Sequence, residues 1–227
     1  METVQRLEGR GEVGGKIGSG KLGACFGVGK VRAMETAGST AKQGLDGRRV
    51  LLCVTGGVAA YKAVELVRRL RDAGAVVQVA MTEEAQRFVG PQTFQAVSHL
   101  PVRTSLWDAG AEAAMGHLEL ARWAQQVIVA PATANTIARL AHGMADDLVA
   151  TLCLATTAPL AVAPAMNHRM WLHPATQDNI ATLRARGVQV IGPDDGPLAE
   201  GESGPGRLRE PGAIVQALVD GPAAEGR

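Results

Sequence analysis

The chain has 227 residues, of which 46% are apolar and 20% are charged, and its formal net charge is +1. These totals are typical of one soluble globular domain and give no indication of a nucleic-acid partner. No apolar run reaches the roughly 18 residues of a membrane span, and no secretion signal is recognisable. Three widely spaced cysteines without metal-type pairing favour a reducing cytoplasm.

The N-terminal segment differs in composition from the rest. Residues 1–47 contain twelve of the 28 glycines and little apolar periodicity, which predicts a disordered tail. Within it, GKIGSGKL (15–22) approaches a phosphate loop, but Leu22 stands where Ser or Thr would bind magnesium, and no strand precedes it. We therefore expect no nucleotide loop there, and Met34 is an alternative first residue. The predicted domain covers 48–219, followed by a short tail over 220–227.

From Arg48 onward the pattern alternates between strands and helices. RRVLLCVTGG predicts a buried strand that runs into a turn, and the following AAYKAVELVRRLRDAG has the three- and four-residue apolar spacing of a helix closed by Gly74. Further strands are predicted over 75–82 and near 126–130, 159–163 and 188–192. Helices are predicted over 83–97 in pieces, 116–124, 135–156 in two parts, 174–186, and from Pro211 onward. The alternation predicts a doubly wound parallel sheet in an α/β fold.

Ligands of such sheets bind where the strands end at their carboxyl edge. After the first strand, Gly56 and Gly57 precede a helix N-terminus, which favours a phosphate, although the two glycines could also serve the turn alone. After the third strand, Thr133, Asn135 and Thr136 could bond a polar cofactor, and helix capping accounts for one of them.

Two further segments carry candidate catalytic groups. His117 begins a predicted helix, and a lone histidine is more often structural than catalytic. PAMNHRMW (164–171) offers Asn167, whose amide could hold a substrate carboxylate. The alternative is an Asx-turn with Met170 and Trp171 in the core. The histidines lack the spacing of metal ligands, so we predict no metal site.

A glycine- and proline-rich segment, GPLAEGESGPGRL, covers 196–208. Glycine and proline disfavour helices and central strands, so this segment is predicted to be a mobile loop. It follows the fifth strand, at the edge where ligands bind. The segment is called the flap below, and the function of Glu200 in it is open at this point.

Taken together, these segments resemble the phosphopantothenoylcysteine decarboxylase family, the homo-oligomeric flavin-containing decarboxylases of coenzyme A biosynthesis. The resemblance covers about 48–219 and is strongest in TGGVAAYK, AAMGHLELARWAQ, APATANTIARLAHGMADDL, APAMNHRMW and GPGRLREP. It is particularly close to the decarboxylase half of the bifunctional bacterial members. It implies a single flavodoxin-like three-layer domain that is cytoplasmic and assembles as a homotrimer or dodecamer, with active sites between subunits. The chain ends at Arg227 before any ligase domain, and whether a separate synthetase is a partner stays open.

The resemblance also implies FMN as cofactor and assigns site residues by position. The expected cofactor contacts are Gly56, Gly57, Val58, Thr82, Thr133, Ala134, Asn135, Thr136 and Ala165. His117 matches the family's active-site histidine, and Asn167 and Met170, together with Ala199, are expected to hold the substrate. The implied reaction is decarboxylation of 4'-phosphopantothenoylcysteine to 4'-phosphopantetheine.

One departure from the family concerns the flap. Members read LACG there, and the cysteine is the acid that completes the reduction, whereas this chain reads LAEG with Glu200 in that place. A carboxylic acid can donate a proton if burial raises its pKa. The alternatives are a solvated Glu200, with Glu202 or water as the acid, or an impaired final step. Two other functions stay open: a flavin decarboxylase that releases an oxidised ene-thiol, and a non-catalytic flavin-binding regulatory subunit.

Overall fold

A computed structural model describes residues 44–107 and 116–221. Within these ranges the strands are β1 (Arg49–Val54), β2 (Val76–Met81), β3 (Gln126–Ala132), β4 (Leu160–Pro164), β5 (Gln189–Val190), β6 (Asp194–Pro197) and β7 (Ser203–Arg207). The helices are α1 (Ala60–Asp72), α2 (Pro91–Ser98), α3 (His117–Trp123), α4 (Ala134–His142), α5 (Leu148–Ala155), α6 (His168–Leu172), α7 (Pro174–Ala185) and α8 (Pro211–Asp220), with a 3₁₀ turn at Glu84–Arg87.

Strands β1 to β5 form one parallel sheet in the order β2-β1-β3-β4-β5. This order is that of flavodoxin-like doubly wound folds. The predicted fold class is therefore confirmed, and each of the five predicted strands is present. Because the five strands are parallel, all of them end at the same edge of the sheet.

The sheet is covered on both faces, which makes three layers. Alternate residues of β1 point to opposite sides: Val50, Leu52 and Val54 join a core with α1, α2 and α8, whereas Leu51 and Cys53 join a core with α3, α4, α5 and α7. This alternation is the two-residue period of a strand. Burial of both faces explains why the strands read as continuous apolar runs in the sequence.

The N-terminal boundary of the domain lies earlier than the predicted residue 48. Leu45 is 1% exposed and packs in the core with α1 and α8, and its N–H donates to the carbonyl oxygen of Ala73 at 3.3 Å. A single apolar residue between glycines gives no periodic signal, so sequence reasoning placed it in the tail. The glycine-rich loop at 15–22 and the rest of the predicted tail before 44 lie outside the described residues, as do 222–227.

The flap is a β-hairpin, so the prediction of an irregular loop is wrong for most of it. Strands β6 and β7 pair antiparallel, with Asp194 opposite Arg207 and Pro197 opposite Ser203, and only 198–202 form the connecting turn. Glycine and proline are tolerated because the two strands form a separate edge ribbon, where a missing N–H is harmless. Gly201 has φ +83° in the turn, and Gly196 has φ +152°, so both conformations favour glycine.

Candidate active site

A cavity of about 710 Å³ lies where the parallel strands end. The turns after β1, β2, β3 and β4 form its inner wall, and the flap forms part of its outer wall. All nine residues expected to contact a cofactor line this one cavity, namely Gly56, Gly57, Val58, Thr82, Thr133, Ala134, Asn135, Thr136 and Ala165. The carboxyl edge of the sheet therefore brings together segments that lie up to about a hundred residues apart in sequence.

The glycine turn between β1 and α1 places a helix N-terminus at the cavity. Helix α1 has Ala59 at its N-cap, no side-chain cap and no acidic residue in its first turn. The N–H groups of Ala60 and Lys62 already donate to the carbonyl oxygens of Gly57 and Ala59, so the helix dipole, with no acidic side chain in the first turn, is what favours an anion at this position. Only one of the two glycines is required by the space around it. A Cβ on Gly56 would lie 2.3 Å from Cβ of Glu84, which is too close. A Cβ on Gly57 would lie 3.7 Å from the nearest atom, Cγ2 of Thr133, which is an ordinary contact. Close packing against the 3₁₀ turn thus requires glycine at 56.

Hydroxyl groups fix the neighbouring strand ends to each other. The hydroxyl of Thr55 is buried, donates to the carbonyl oxygen of Pro131 at 2.6 Å and accepts from the N–H of Thr133 at 3.2 Å. Thr133 caps α4 by accepting from the N–H of Thr136 at 3.3 Å. Capping thus accounts for Thr133, as the sequence alternative allowed, while Asn135 is exposed and lines the cavity.

Asn167 follows β4 and begins the short helix α6, which sequence reasoning did not predict. Its Oδ1 accepts from the N–H of Arg169 at 2.8 Å, so the Asx-type turn of the alternative interpretation is present. Its Nδ2 donates to Oε2 of Glu202 at 3.3 Å. Asn167 and Met170 both line the cavity, and Met170 is 50% exposed rather than packed in the core.

The two flap glutamates have different surroundings. Glu200 lies in the hairpin turn, is exposed and lines the cavity together with Ala199. Glu202 is not among the residues that line the cavity, and its carboxylate contacts Asn167 and Arg169. Of the two, Glu200 is therefore the one placed to reach a ligand.

His117 does not line this cavity. It is the first residue of α3, which packs its buried residues Leu120 and Ala121 against the opposite core. The structure of the single chain thus brings Asn167 and Glu200 together but leaves His117 apart from them.

Two basic residues that sequence reasoning missed also line the cavity. Lys62 lies on α1 and Arg207 on β7, and both contact Oε1 of Glu210, at 3.0 Å and 2.5 Å. Lys62 first and Arg207 second hold the pKa of the Glu210 carboxyl below its usual value. The sequence offers one indication that Lys62 belongs to the site, because this residue lies five positions after Gly57, near the start of α1. Arg207 had no comparable signal, because its segment was interpreted as a loop.

A third cation, Arg139 on α4, lines the cavity and is neutralised within the chain. Its guanidinium contacts Asp147 at 2.6 Å and Asp146 at 3.1 Å. Asp147 also caps α5 by accepting from the N–H of Ala150. Arg139 thus ties two helices together in addition to forming cavity wall.

In the described ranges, 44–107 and 116–221, no group of three His, Cys, Asp or Glu side chains could hold a metal ion. Within the same ranges, the helices are too short or too polar to cross a membrane.

The model of the Flavoprotein family matches residues 39–221. The chain is 58% identical over 175 residues to the coenzyme A biosynthesis bifunctional protein CoaBC of Escherichia coli K12, and 51% identical over 172 residues to the protein of that name from Bacillus subtilis 168. These matches cover 77% and 76% of this chain but only 43% and 42% of the two relatives. The chain therefore corresponds to less than half the length of the curated relatives it matches.

Solved structures share the fold. A cysteine-to-serine mutant of PPC decarboxylase complexed with pantothenoylaminoethenethiol superposes with a TM-score of 0.68 at 32% identity, covering 76% of this chain and 96% of that one. The FMN-dependent cysteine decarboxylase SpaF superposes with a TM-score of 0.65 at 28% identity, covering 78% and 99%. Both neighbours thus match along nearly their whole length.

Proposed function

Since this chain belongs to the Flavoprotein family, we propose that it binds FMN and decarboxylates 4'-phosphopantothenoylcysteine to 4'-phosphopantetheine in coenzyme A biosynthesis. The observation that carries the proposal is the single cavity that joins the glycine turn, the hydroxyl groups after β3, Asn167 and the flap. Support comes from the bifunctional coenzyme A biosynthesis relatives and from the PPC decarboxylase structure. The enzyme would thus be a carboxy-lyase.

The residues at the strand ends suit FMN. The uncapped start of α1 next to Gly57 can receive its phosphate. Thr133, Asn135 and Thr136 offer hydroxyl and amide groups to a ribityl chain or ring edge, and they line the same cavity. When bound, FMN would supply reversible two-electron oxidation of the cysteinyl thiol to a thioaldehyde, and that thioaldehyde is the electron sink that lets carbon dioxide leave.

The chain itself would orient the substrate. After its bonds to Arg169 and Glu202, Asn167 keeps one N–H for a ligand, and this N–H can bind the substrate carboxylate until it departs. Met170, half-exposed at the cavity, offers apolar contact. Ala199 on the flap adds a small apolar side chain over the bound substrate.

A proton must reach the carbon atom that loses carbon dioxide. We assign this step to Glu200, which stands where the family carries cysteine and which lines the cavity. A carboxyl group donates near neutral pH only where its surroundings favour the protonated form, so the step requires the flap turn to close over the substrate. Glu202 is the weaker candidate, because its oxygens already accept bonds from Asn167 and Arg169.

His117 would act in the cavity of a neighbouring subunit. Large apolar side chains lie exposed on α3 and on α5, which packs against it, with Leu118 49% and Leu154 61% exposed. Such side chains are suited to burial between subunits. This supports a homotrimer, or a dodecamer built from trimers, in which His117 handles a proton or holds the substrate. We expect the assembly to be cytoplasmic.

One observation favours a second candidate function. Glu200 in place of cysteine is also what an enzyme would carry if it stopped at the oxidised ene-thiol product. This alternative differs from the first in the mass of the product, by two hydrogen atoms, and in leaving the flavin reduced. A regulatory subunit without turnover is disfavoured, because the chain retains both His117 and Asn167.

The proposal is tested by two measurements on the purified protein. The absorption spectrum of the protein as isolated is expected to show bound flavin, and released carbon dioxide is expected to follow added 4'-phosphopantothenoylcysteine. Asn167→Ala is expected to abolish release while flavin remains bound. A protein that contains flavin but releases no carbon dioxide would contradict the enzyme and favour the regulatory subunit.

A further inference from the structure

The flap is bonded to helix α6 through one carboxylate. Oε2 of Glu202 accepts from Nδ2 of Asn167 at 3.3 Å, and Oε1 accepts from Nη2 of Arg169 at 2.9 Å. Nδ1 of His168 lies 3.3 Å from the same Oε2 but makes no hydrogen bond of good geometry. Glu202 therefore faces three consecutive residues of the segment that begins α6.

Of the residues in this contact, only Asn167 forms part of the cavity wall. Asn167 lines the cavity, whereas Glu202 and Arg169 are not among its lining residues. The carboxylate of Glu202 thus bonds to Nδ2 of Asn167 without itself lining the cavity.

The amide of Asn167 is consequently held at both of its polar atoms. The N–H of Arg169 fixes Oδ1 at 2.8 Å, and Glu202 fixes one hydrogen of Nδ2. The bond from the Arg169 N–H keeps Oδ1 turned towards the helix, and the bond to Glu202 adds a second restraint, on Nδ2, that holds the plane of the amide. A tilted amide plane would turn the remaining N–H of Nδ2 away from a carboxylate in the cavity.

We propose that Glu202 is a positioning residue, which orients the amide of Asn167 towards the substrate carboxylate and makes that orientation depend on the folded flap. The inference rests on the proposed function, because Asn167 is taken to bind the carboxylate. Glu202 belongs to the flap, and Asn167 is the N-cap of α6. The amide of Asn167 is therefore fully oriented only when the flap is folded against α6.

A stabilising ion pair alone does not account for this arrangement. The side chain of Arg169 is 78% exposed and that of Glu202 is 38% exposed. Pairs this exposed contribute little to stability. The bond to Asn167 is the one that reaches the cavity wall.

The test is a double-mutant cycle in kcat/KM for 4'-phosphopantothenoylcysteine. Glu202→Ala is expected to lower kcat/KM by about ten- to hundredfold, and Glu202→Gln is expected to restore most of it, because the Gln carbonyl still accepts from Asn167. In an Asn167→Ala background, the further loss on Glu202→Ala is expected to be under about twofold, since the partner is already absent. Asp195→Asn, which changes an exposed carboxylate of the same hairpin outside the cavity lining, is the matched control.

Two further measurements, and one outcome of the cycle, separate the inference from its competitors. Arg169→Ala is expected to cost much less than Glu202→Ala; an equal cost would assign the effect to the ion pair and overturn the inference. Additive losses in the cycle would overturn it as well. Binding affinities by calorimetry compare 4'-phosphopantothenoylcysteine with its decarboxylated product, and Glu202→Ala is expected to reduce the preference for the carboxylated compound.

The outcome is interpretable even if the proposed function fails. If the parent protein neither converts nor binds 4'-phosphopantothenoylcysteine, the proposed function is contradicted. Hydrogen exchange of the intact protein then tests the inference about Glu202. Glu202→Ala is then expected to speed amide exchange both in the flap, 196–208, and in 166–172. Unchanged exchange in both segments would overturn the coupling of the flap to Asn167.

Discussion

The carbonyl oxygen of Gly206 accepts a hydrogen bond from the N–H of Met166 at 2.9 Å. This bond joins the second strand of the flap to the segment that follows β4, directly beside Asn167. Gly206 is buried, and a Cβ at this position would lie 2.2 Å from the carbonyl oxygen of Met166. The base of the flap is therefore a fixed part of the cavity wall, and Gly206 acts as a packing position.

Gly206→Ala is expected to break the contact between the second strand of the flap and the segment at Met166. The added methyl group collides with backbone that cannot move aside, and φ +149° is unfavourable for alanine. We expect a loss of about 1–3 kcal/mol in the free energy of unfolding, together with a rise in KM. Denaturant unfolding and steady-state kinetics measure the two effects.

Gly212→Ala is the matched control for this substitution. Gly212 lies in the first turn of α8, and a Cβ there meets no atom within 4 Å. The change is expected to raise stability by about 0.4–1 kcal/mol. If Gly206→Ala and Gly212→Ala change the free energy of unfolding equally, the contact with Met166 has no effect on stability.

The glycine turn gives a second paired prediction. Gly56→Ala is expected to lower the free energy of unfolding by about 1–3 kcal/mol, because its Cβ would lie 2.3 Å from Cβ of Glu84 and 3.0 Å from the carbonyl carbon of that residue. Gly57→Ala, whose Cβ makes only an ordinary contact at 3.7 Å, is expected to keep the parent's stability. Thermal unfolding of both variants checks the difference. A destabilised Gly57→Ala beside an unaffected Gly56→Ala would contradict it.

Much of the fold could be predicted from the sequence, because local patterns carry it. Continuous apolar runs mark β1 to β4, and a helical pattern follows each of them, which defines the doubly wound sheet. The rule that ligands bind at the carboxyl edge then placed the cavity before any contact was known. Thr133 illustrates the limit of this reasoning: its polar side chain was evident, but its capping bond to Thr136 depends on where α4 begins.

The parts that sequence reasoning missed depend on pairing between distant segments. Gly and Pro disfavour central strands and therefore predict a loop for the flap, yet β6 and β7 need only each other. The convergence of Lys62 and Arg207 on Glu210 joins residues up to about 150 positions apart. The bond between Asn167 and Glu202 likewise spans 35 positions. No local periodicity reports contacts of this kind.

The buried cysteines are expected to be unreactive in the folded protein. Cys53 on β1 and Cys153 on α5 lie in one core, and the hydrogen bond from Cys153, followed by burial, raises the pKa of the Cys53 thiol. Because the thiolate is the reactive form, alkylation of Cys53 is expected to be slow until the protein unfolds, and burial of Cys153 is expected to keep the reagent from it. Mass spectrometry of labelled peptides measures each site. Rapid modification of Cys53 under native conditions would be incompatible with this packing.

The same raised pKa predicts a dependence of stability on pH. The folded state binds the Cys53 proton more tightly than the unfolded state, so this contribution is complete below the ordinary thiol pKa of about 8.5 and is lost as pH rises above it. The free energy of unfolding is therefore expected to fall between about pH 8 and pH 10. Cys53→Ala is the control and is expected to decline less steeply over this interval.

Substitution of Glu200 tests the assigned proton donor. Glu200→Gln keeps the size of the side chain but removes its acid, so the first half of the reaction is expected to proceed while the ene-thiol accumulates and the flavin stays reduced. Glu200→Cys, which restores the residue of the family pattern, is expected to retain formation of the fully reduced product. Product mass and flavin absorbance report both halves. If Glu200→Gln makes the reduced product at the parent's rate, another group donates the proton.

The central claim is tested most directly by the mass of the product that the purified parent protein forms from 4'-phosphopantothenoylcysteine without added nicotinamide. The account predicts 4'-phosphopantetheine, with one carbon dioxide released per product and the flavin oxidised again after each turnover. A product lighter by two hydrogen atoms, formed once per flavin with the flavin left reduced, would contradict it.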